Sequence, residues 1–116
     1  MFDLSEPTRE LAQRILTEVG FEHRLMGYSM HKRTGPLPVP MYSFEEIVGL
    51  LNFPGPVLDF ASLETWVRAA MQDGELADAI GEAVRSIPGF EDRNCRVRDL
   101  MGWRLLQCRM LTASTA

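Results

Sequence analysis

Prolines at positions 36, 38 and 40 constrain this 116-residue chain more than any other feature. Each ring fixes φ and pushes the preceding residue out of the α region, so residues 34–40 must be extended. Two further prolines at 54 and 56 flank Gly55, and five of the seven prolines therefore fall between 36 and 56. The chain is divided into a leading segment, an extended middle and a longer trailing half. A rigid strap inside one domain accounts for this better than two domains, and the expectation is a single globular domain over 1–111 with a frayed tail at 112–116.

On either side of the strap the apolar residues recur with helical period. Five helices are predicted, over 6–19, 44–52, 62–71, 75–87 and 96–111, giving a mainly α fold with an extended or hairpin-like segment at 21–42. Ser5 is the candidate N-cap of the first, with Pro7 in its first turn, Leu11, Ala12, Ile15, Leu16 and Val19 on one face, and Gly20 at its end. Ser43-Phe44-Glu45-Glu46 is a capping box opening the second, whose buried stripe is Phe44, Ile47, Val48 and Leu51. Leu63, Trp66, Val67, Ala70 and Met71 form the apolar side of the third. In the fourth, Leu76, Ala79, Ile80, Ala83, Val84 and Ile87 oppose Glu75, Asp78 and Glu82, and Pro88-Gly89 stops it. The fifth has a main apolar face, Val97, Leu100, Met101, Leu105, Cys108 and Leu111, and a second one at Trp103, Leu106 and Met110. A helix apolar over so much of its surface is expected at the centre of the fold, or with its second face against a partner.

Between 21 and 33 two periods compete. Phe21, Leu25 and Tyr28 fit a helix, whereas Phe21, His23 and Leu25 alternate, and Gly27 fits the centre of a hairpin turn. An irregular hairpin is the reading adopted. It would make His23 and His31 cross-strand neighbours able to share an ion, but no histidine or cysteine pair has the close spacing of a metal site, and no cofactor is expected.

Composition places the chain among globular proteins: 46% of residues are hydrophobic and 24% charged, with mean hydropathy −0.08. No apolar run approaches the roughly 18 residues that span a bilayer, and the first residues lack a basic region followed by an apolar stretch, so no membrane association and a cytoplasmic location are expected. The net charge of −4 hides a strong asymmetry. Segment charges are −3 over 1–22, +3 over 23–33, −8 over 34–92 and +4 over 93–116.

Candidate chemistry is sparse. Cys95 and Cys108, thirteen positions apart, would be separated by about 20 Å along one helix and cannot form a disulfide. Cys95, beside Arg93 and Arg96, is the one thiol whose neighbours could activate it; Cys108 belongs to the apolar face. Glu75, Asp78 and Glu82 read as a solvated stripe, or as a dock for a basic partner. Phosphate-cradling glycine loops and nucleophile elbows are absent. Leu76-Ala77, Gly81, Val84 and Ile87 resemble the spacing of helix-turn-helix repressors, in which the glycine makes the turn before the recognition helix. Glu82, Pro88 and the acidic surroundings depart from that pattern, and one continuous helix accounts for the same residues.

Arg104 is the most informative single residue, because it interrupts the main apolar stripe of the last helix. A guanidinium there must snorkel, pair with a buried carboxylate, for which Asp59 or a mid-chain glutamate is available, or meet a partner chain. By elimination, the expected function is a non-catalytic protein-protein interaction or regulatory module. Its candidate contact residues are Met26, Met30, Pro36, Pro38, Pro40 and Met41 around the strap, and Trp103, Arg104, Leu106 and Met110 on the last helix, the latter suited to a symmetric homodimer. The alternatives are a small DNA-binding regulator using 75–87 and a metal- or thiol-dependent protein using His23 and His31 or Cys95.

Overall fold

A computed structural model describes residues 4–31, 35–52 and 58–113, without the side chains of 29–31 and 36. The chain starts with helix α1 (Arg9–Ile15), passes a single 3₁₀ turn at Phe21–His23, forms strands β1 (Leu25–His31) and β2 (Gly35–Met41), and continues through α2 (Phe44–Leu50), α3 (Phe60–Ala69), α4 (Gly74–Ser86) and α5 (Phe90–Ala113). The fold is mainly helical, with one antiparallel hairpin, as the periodicity predicts.

Capping side chains explain where the helices begin. Thr8 Oγ1 accepts from the Leu11 amide at 3.1 Å, so α1 starts later than predicted. The expected cap, Ser5, is used elsewhere: its amide and hydroxyl both donate to Glu75. Apolar periodicity continues to Val19, but α1 ends at Ile15, and the Val19 amide donates instead to the Tyr42 carbonyl beyond the hairpin. The Ser43 box forms, with Ser43 Oγ accepting from the Glu46 amide and the Glu46 carboxylate accepting from the Tyr42 amide and Ser43 hydroxyl. Asp59 caps α3 through the Ser62 amide and hydroxyl, which moves its start two residues ahead of the predicted Ser62. The Pro54-Gly55-Pro56 run, which cannot continue a helix, lies outside the described residues.

Helix α4 runs unbroken through Gly81, and this overturns the helix-turn-helix reading of 75–87. Gly81 faces α3, where a Cβ would lie 2.8 Å from Glu64 Oε1, the movable end of that side chain. The α3–α4 connection contains Gln72 at φ 58°, a left-handed position that glycine would occupy at lower cost. Helix α5 begins six residues before the predicted start and continues through Ala113, and residues 114–116 of the expected tail lie outside the described residues. Its opening turns are polar and carry no apolar period, although Glu91 and Asp92 suit a helix N-terminus.

Packing is organised around α5, which contacts α1, α2 and α4, while α3 packs on α4. Ala12, Ile15, Phe44, Ile47, Leu63, Val67, Leu76, Ile80, Val97, Met101 and Cys108 are among the fully buried core residues. The hairpin joins this core at its base, through buried Leu25 and Met41, with Val39 partly buried against it. Its register pairs Leu25 with Met41, Gly27 with Val39 and His31 with Gly35. Strand β1 therefore passes straight through Gly27, and the expected turn there is not formed. That removes the proposed His23–His31 juxtaposition, since His23 lies in the 3₁₀ turn and His31 at the far end of β1.

Candidate interaction surface

The hairpin follows from the same prolines that forbid a helix. In an antiparallel ladder alternate residues direct their amides to the same edge, so a period of two places Pro36, Pro38 and Pro40 with their missing donors on one side. Since β1 and β2 are paired, the ladder bonds must run through the intervening residues 35, 37, 39 and 41, opposite 31, 29, 27 and 25. The proline side consequently forms the outer edge of β2. The predicted extended strap is thus a sheet edge rather than a connector laid across the bundle.

The two faces of the hairpin differ. Leu25 and Met41 point into the core, and Val39 packs against it. Leu37 shares that face yet is 42% exposed, so the distal part of the hairpin overhangs the helical body. On the opposite face Met26 is 39% and Tyr28 44% exposed, beside exposed Pro38 and Pro40. Of the strap residues named from the sequence, Met26, Pro38 and Pro40 are on this surface. Met41 is not: at 1% exposure it is a core residue, which corrects its assignment as a contact. The side chains of Met30, His31 and Pro36 lie outside the described residues.

Tyr28 and Leu37 are surface residues that sequence reasoning missed. The usable signal was the alternation of Leu25, Gly27 and Ser29 with Met26, Tyr28 and Met30, once Gly27 is read as a strand residue. At the foot of β1, Arg24 stacks over the Phe21 ring at 3.8 Å, and Trp66 Nε1 donates to the His23 carbonyl at 2.6 Å. A groove of about 550 Å³ lies there between Arg24–Leu25 and the Ala61–Thr65 stretch of α3.

Arg104 proves to be structural. At 1% exposure its guanidinium reaches Asp73, itself 2% exposed, with Nε to Oδ2 at 2.9 Å. Nη2 donates to Asp73 Oδ1 at 3.4 Å and Glu75 Oε1 at 2.8 Å; Nη1 donates to the Ser5 carbonyl at 2.7 Å and Gln107 Oε1 at 3.0 Å. All five N–H donors of the group are used inside the chain, so Arg104 is not a partner contact. Asp73 also caps α4, accepting from the Leu76 amide at 3.1 Å. Burial tends to raise the Glu75 carboxyl, but hydrogen bonds from Ser5 and Arg104 outweigh it and hold it below the usual glutamate range.

The other carboxylates of the acidic stripe are paired on the surface, Asp78 with Arg68 and Glu82 with Arg85. Arg68 is raised above its ordinary value chiefly by the Asp78 hydrogen bond. Cys95 is exposed, while Cys108 is buried and its thiol is pushed up to about 11 by desolvation, which keeps it protonated. Among the described residues no three histidine, cysteine, aspartate or glutamate side chains converge as a metal site. On α5, Leu106 and Met110 are exposed and Trp103 is half-buried against the core, with shallow grooves of about 230 and 360 Å³ flanking its ring. The Trp103 indole N–H is buried without a partner among the described residues. Among the described residues no helix is long and apolar enough to cross a membrane.

Comparison of the chain with protein-family models, with curated proteins and with solved structures found no match.

Proposed function

We propose that the protein is a non-catalytic, cytoplasmic protein-interaction module whose contact element is the β1–β2 hairpin. The observation that supports this most directly is Leu37, 42% exposed on the core-facing side of the hairpin, where the ribbon reaches past the core that covers Leu25 and Met41. Met26 and Tyr28 add an apolar surface on the other side. Large apolar side chains grouped on a projecting element are costly to leave in water and are what a partner covers. The two free cysteines suit a reducing compartment.

The test is a photo-crosslinking benzoylphenylalanine placed at position 28 and, as a control, at position 82 on the exposed side of α4, in cells that make the protein. The expected result is a discrete adduct from position 28 alone, identified by mass spectrometry. The purified partner then binds the wild-type chain and loses binding to Met26→Ser/Tyr28→Thr. No adduct at 28, or the same adducts from both positions, contradicts the proposal.

A second reading is favoured by Trp103, whose buried N–H has no partner among the described residues and lies beside exposed Leu106 and Met110. A symmetric dimer through this face of α5 would cover all three. Sedimentation over a wide concentration range tests it: a dimer that Leu106→Glu dissociates supports the reading, and a monomer throughout rejects it.

A further inference from the structure

Residues 4–7 lie across α4 and α5, and their hydrogen bonds to those helices are all made by side chains of the helices. The Ser5 amide donates to Glu75 Oε1 at 2.9 Å and the Ser5 hydroxyl to Glu75 Oε2 at 2.8 Å. Arg104 Nη1 donates to the Ser5 carbonyl at 2.7 Å, and Gln107 Nε2 to the Leu4 carbonyl at 3.2 Å. Leu4 is 9% exposed and Pro7 is buried, whereas Ser5 and Glu6 are exposed. Among the described residues no backbone–backbone hydrogen bond joins 4–7 to the rest of the chain. A groove that receives an extended peptide works in the same way: its side chains meet the main chain, and a few residues of the peptide plug pockets.

The polar lining of this cleft holds together without its occupant. With 4–7 withdrawn, Arg104 keeps Asp73 through Nε and Glu75 through Nη2, and Gln107 Oε1 still accepts from Nη1. Glu75 and Gln107 are then placed to meet another main chain. Beside Glu6 the cleft continues into a groove of about 230 Å³ lined by Trp103, Gln107, Met110 and Leu111. The segment leaves it unfilled, since Thr8 caps α1 and the chain turns into that helix. Trp103, whose indole N–H has no acceptor among the described residues, borders the empty space.

We propose that this cleft is a peptide-binding site, that residues 4–7 occupy it in cis, and that a partner protein displaces them with an extended segment of the form leucine, serine, any residue, proline. The site is separate from the hairpin, and the inference does not rest on the hairpin being a contact element. Leucine fills the pocket of Leu4, the serine hydroxyl meets Glu75, proline takes the buried place of Pro7, and the residue between them faces solvent as Glu6 does. Arg104 passes from one serine carbonyl to another and keeps its buried carboxylates. A partner segment that runs on into the Trp103 groove makes contacts the cis segment lacks, which offsets the advantage of a tethered competitor. A second copy is disfavoured as the source. Its segment is fixed at Thr8 to α1, which packs on α5 of its own chain, and it cannot reach another cleft while that helix stays docked.

The test uses the full chain labelled with ¹⁵N and an unlabelled acetylated peptide, Phe-Asp-Leu-Ser-Glu-Pro-Thr, with a scrambled version and one carrying aspartate in place of leucine as controls. In the free protein the Ser5 amide is expected to exchange at least about a hundredfold faster than that of Val67 in the core, because the segment opens without global unfolding. Millimolar peptide is expected to speed Ser5 exchange about tenfold further by holding the cleft open to its own segment, and the controls to leave it unchanged. In Leu4→Asp/Ser5→Ala the cis competitor is weakened, and the peptide is expected to bind about tenfold or more tightly than to wild type. Binding to that variant should shift the Trp103 indole resonance and leave that of Trp66, which donates to the His23 carbonyl, in place. Gln107→Ala added to the same variant should weaken the binding.

Ser5 exchange only at the rate of the core makes the segment an inseparable part of the fold and overturns the proposal. Equal action of the scrambled peptide overturns it too, as does millimolar peptide that changes neither Ser5 exchange in wild type nor the spectrum of the variant. If Leu4→Asp/Ser5→Ala does not fold, the exchange measurements on wild type decide alone. A wild-type dimer that Leu4→Asp/Ser5→Ala dissociates gives the cleft to a second copy and overturns the assignment to a partner.

Discussion

Arg104 and Asp73 meet with Nε 2.9 Å from Oδ2 and almost no exposure of either side chain, thirty-one positions apart in sequence. The pair ties the start of α4 to the middle of α5. Through the Ser5 carbonyl and Gln107, whose amide reaches the Leu4 carbonyl at 3.2 Å, it also holds the N-terminal segment. Removing one member of a buried ion pair leaves the other charge without compensation. Arg104→Ala is expected to cost about 3–5 kcal/mol in urea denaturation. Arg104→Lys should recover only part of this, because an ammonium cannot serve acceptors arranged for a planar five-donor fork. A loss under about 1 kcal/mol for the alanine variant would show that the group is solvated rather than locked.

Gly81 distinguishes a continuous α4 from a broken one. An added methyl meets only the far end of the Glu64 side chain, which can move, and alanine is a better helix former by about 1 kcal/mol. Gly81→Ala is therefore expected to hold or raise stability by up to about 1 kcal/mol, measured by thermal and urea unfolding. A helix-turn-helix with Gly81 in its turn would lose stability on the same change.

Acid sensitivity follows from Glu75 and Asp59. Hydrogen bonds from Ser5 and Arg104, acting against burial, hold the Glu75 carboxyl below its ordinary value, and the Ser62 hydroxyl does the same to Asp59. In the unfolded chain both bind protons more readily, so their stabilisation is complete above the ordinary carboxylate range and is lost as pH falls through the lowered folded values. Unfolding free energy is expected to decline below about pH 5 and to decline less steeply in Glu75→Gln. An unchanged pH slope in that variant would contradict the sign argued here.

Proline parity in the hairpin can be tested by adding a proline to β1. Tyr28→Pro removes an outward donor that the hairpin does not use, whereas Ser29→Pro removes one from the ladder. The first should leave the Gly27 and Ser29 amides protected from exchange, and the second should abolish protection of the Gly27 amide. The reverse order would show that the ladder runs through the even positions.

The helical half of this fold is legible because its signals are local. Caps at Ser43 and Asp73, the Pro88-Gly89 stop and the apolar stripe of α4 each specify their element from adjacent residues. Where the ends differ from expectation, a contact distant in sequence intervenes: Ser5 is drawn to Glu75 and Val19 to Tyr42, which shortens α1. The polar first turns of α5 carry no period to read. The hairpin was visible in type but not in register, since Gly27 fits a turn as readily as a strand. Arg104 shows the same limit: its position in an apolar stripe demanded a partner, but the choice of Asp73 and Glu75 over Asp59 depends on how α4 and α5 pack. Asp59, one of the candidates, is occupied in capping α3.

The hairpin's outer surface should be dispensable for folding and required for binding, and one measurement addresses both. Once the protein crosslinked from position 28 is purified, calorimetric titration compares the wild-type chain with Met26→Ser/Tyr28→Thr/Leu37→Ser, alongside the thermal unfolding of each. The expected result is an unfolding free energy within about 1 kcal/mol of wild type and an affinity reduced at least tenfold. Unchanged affinity with unchanged stability would contradict the assignment of the hairpin as the contact element.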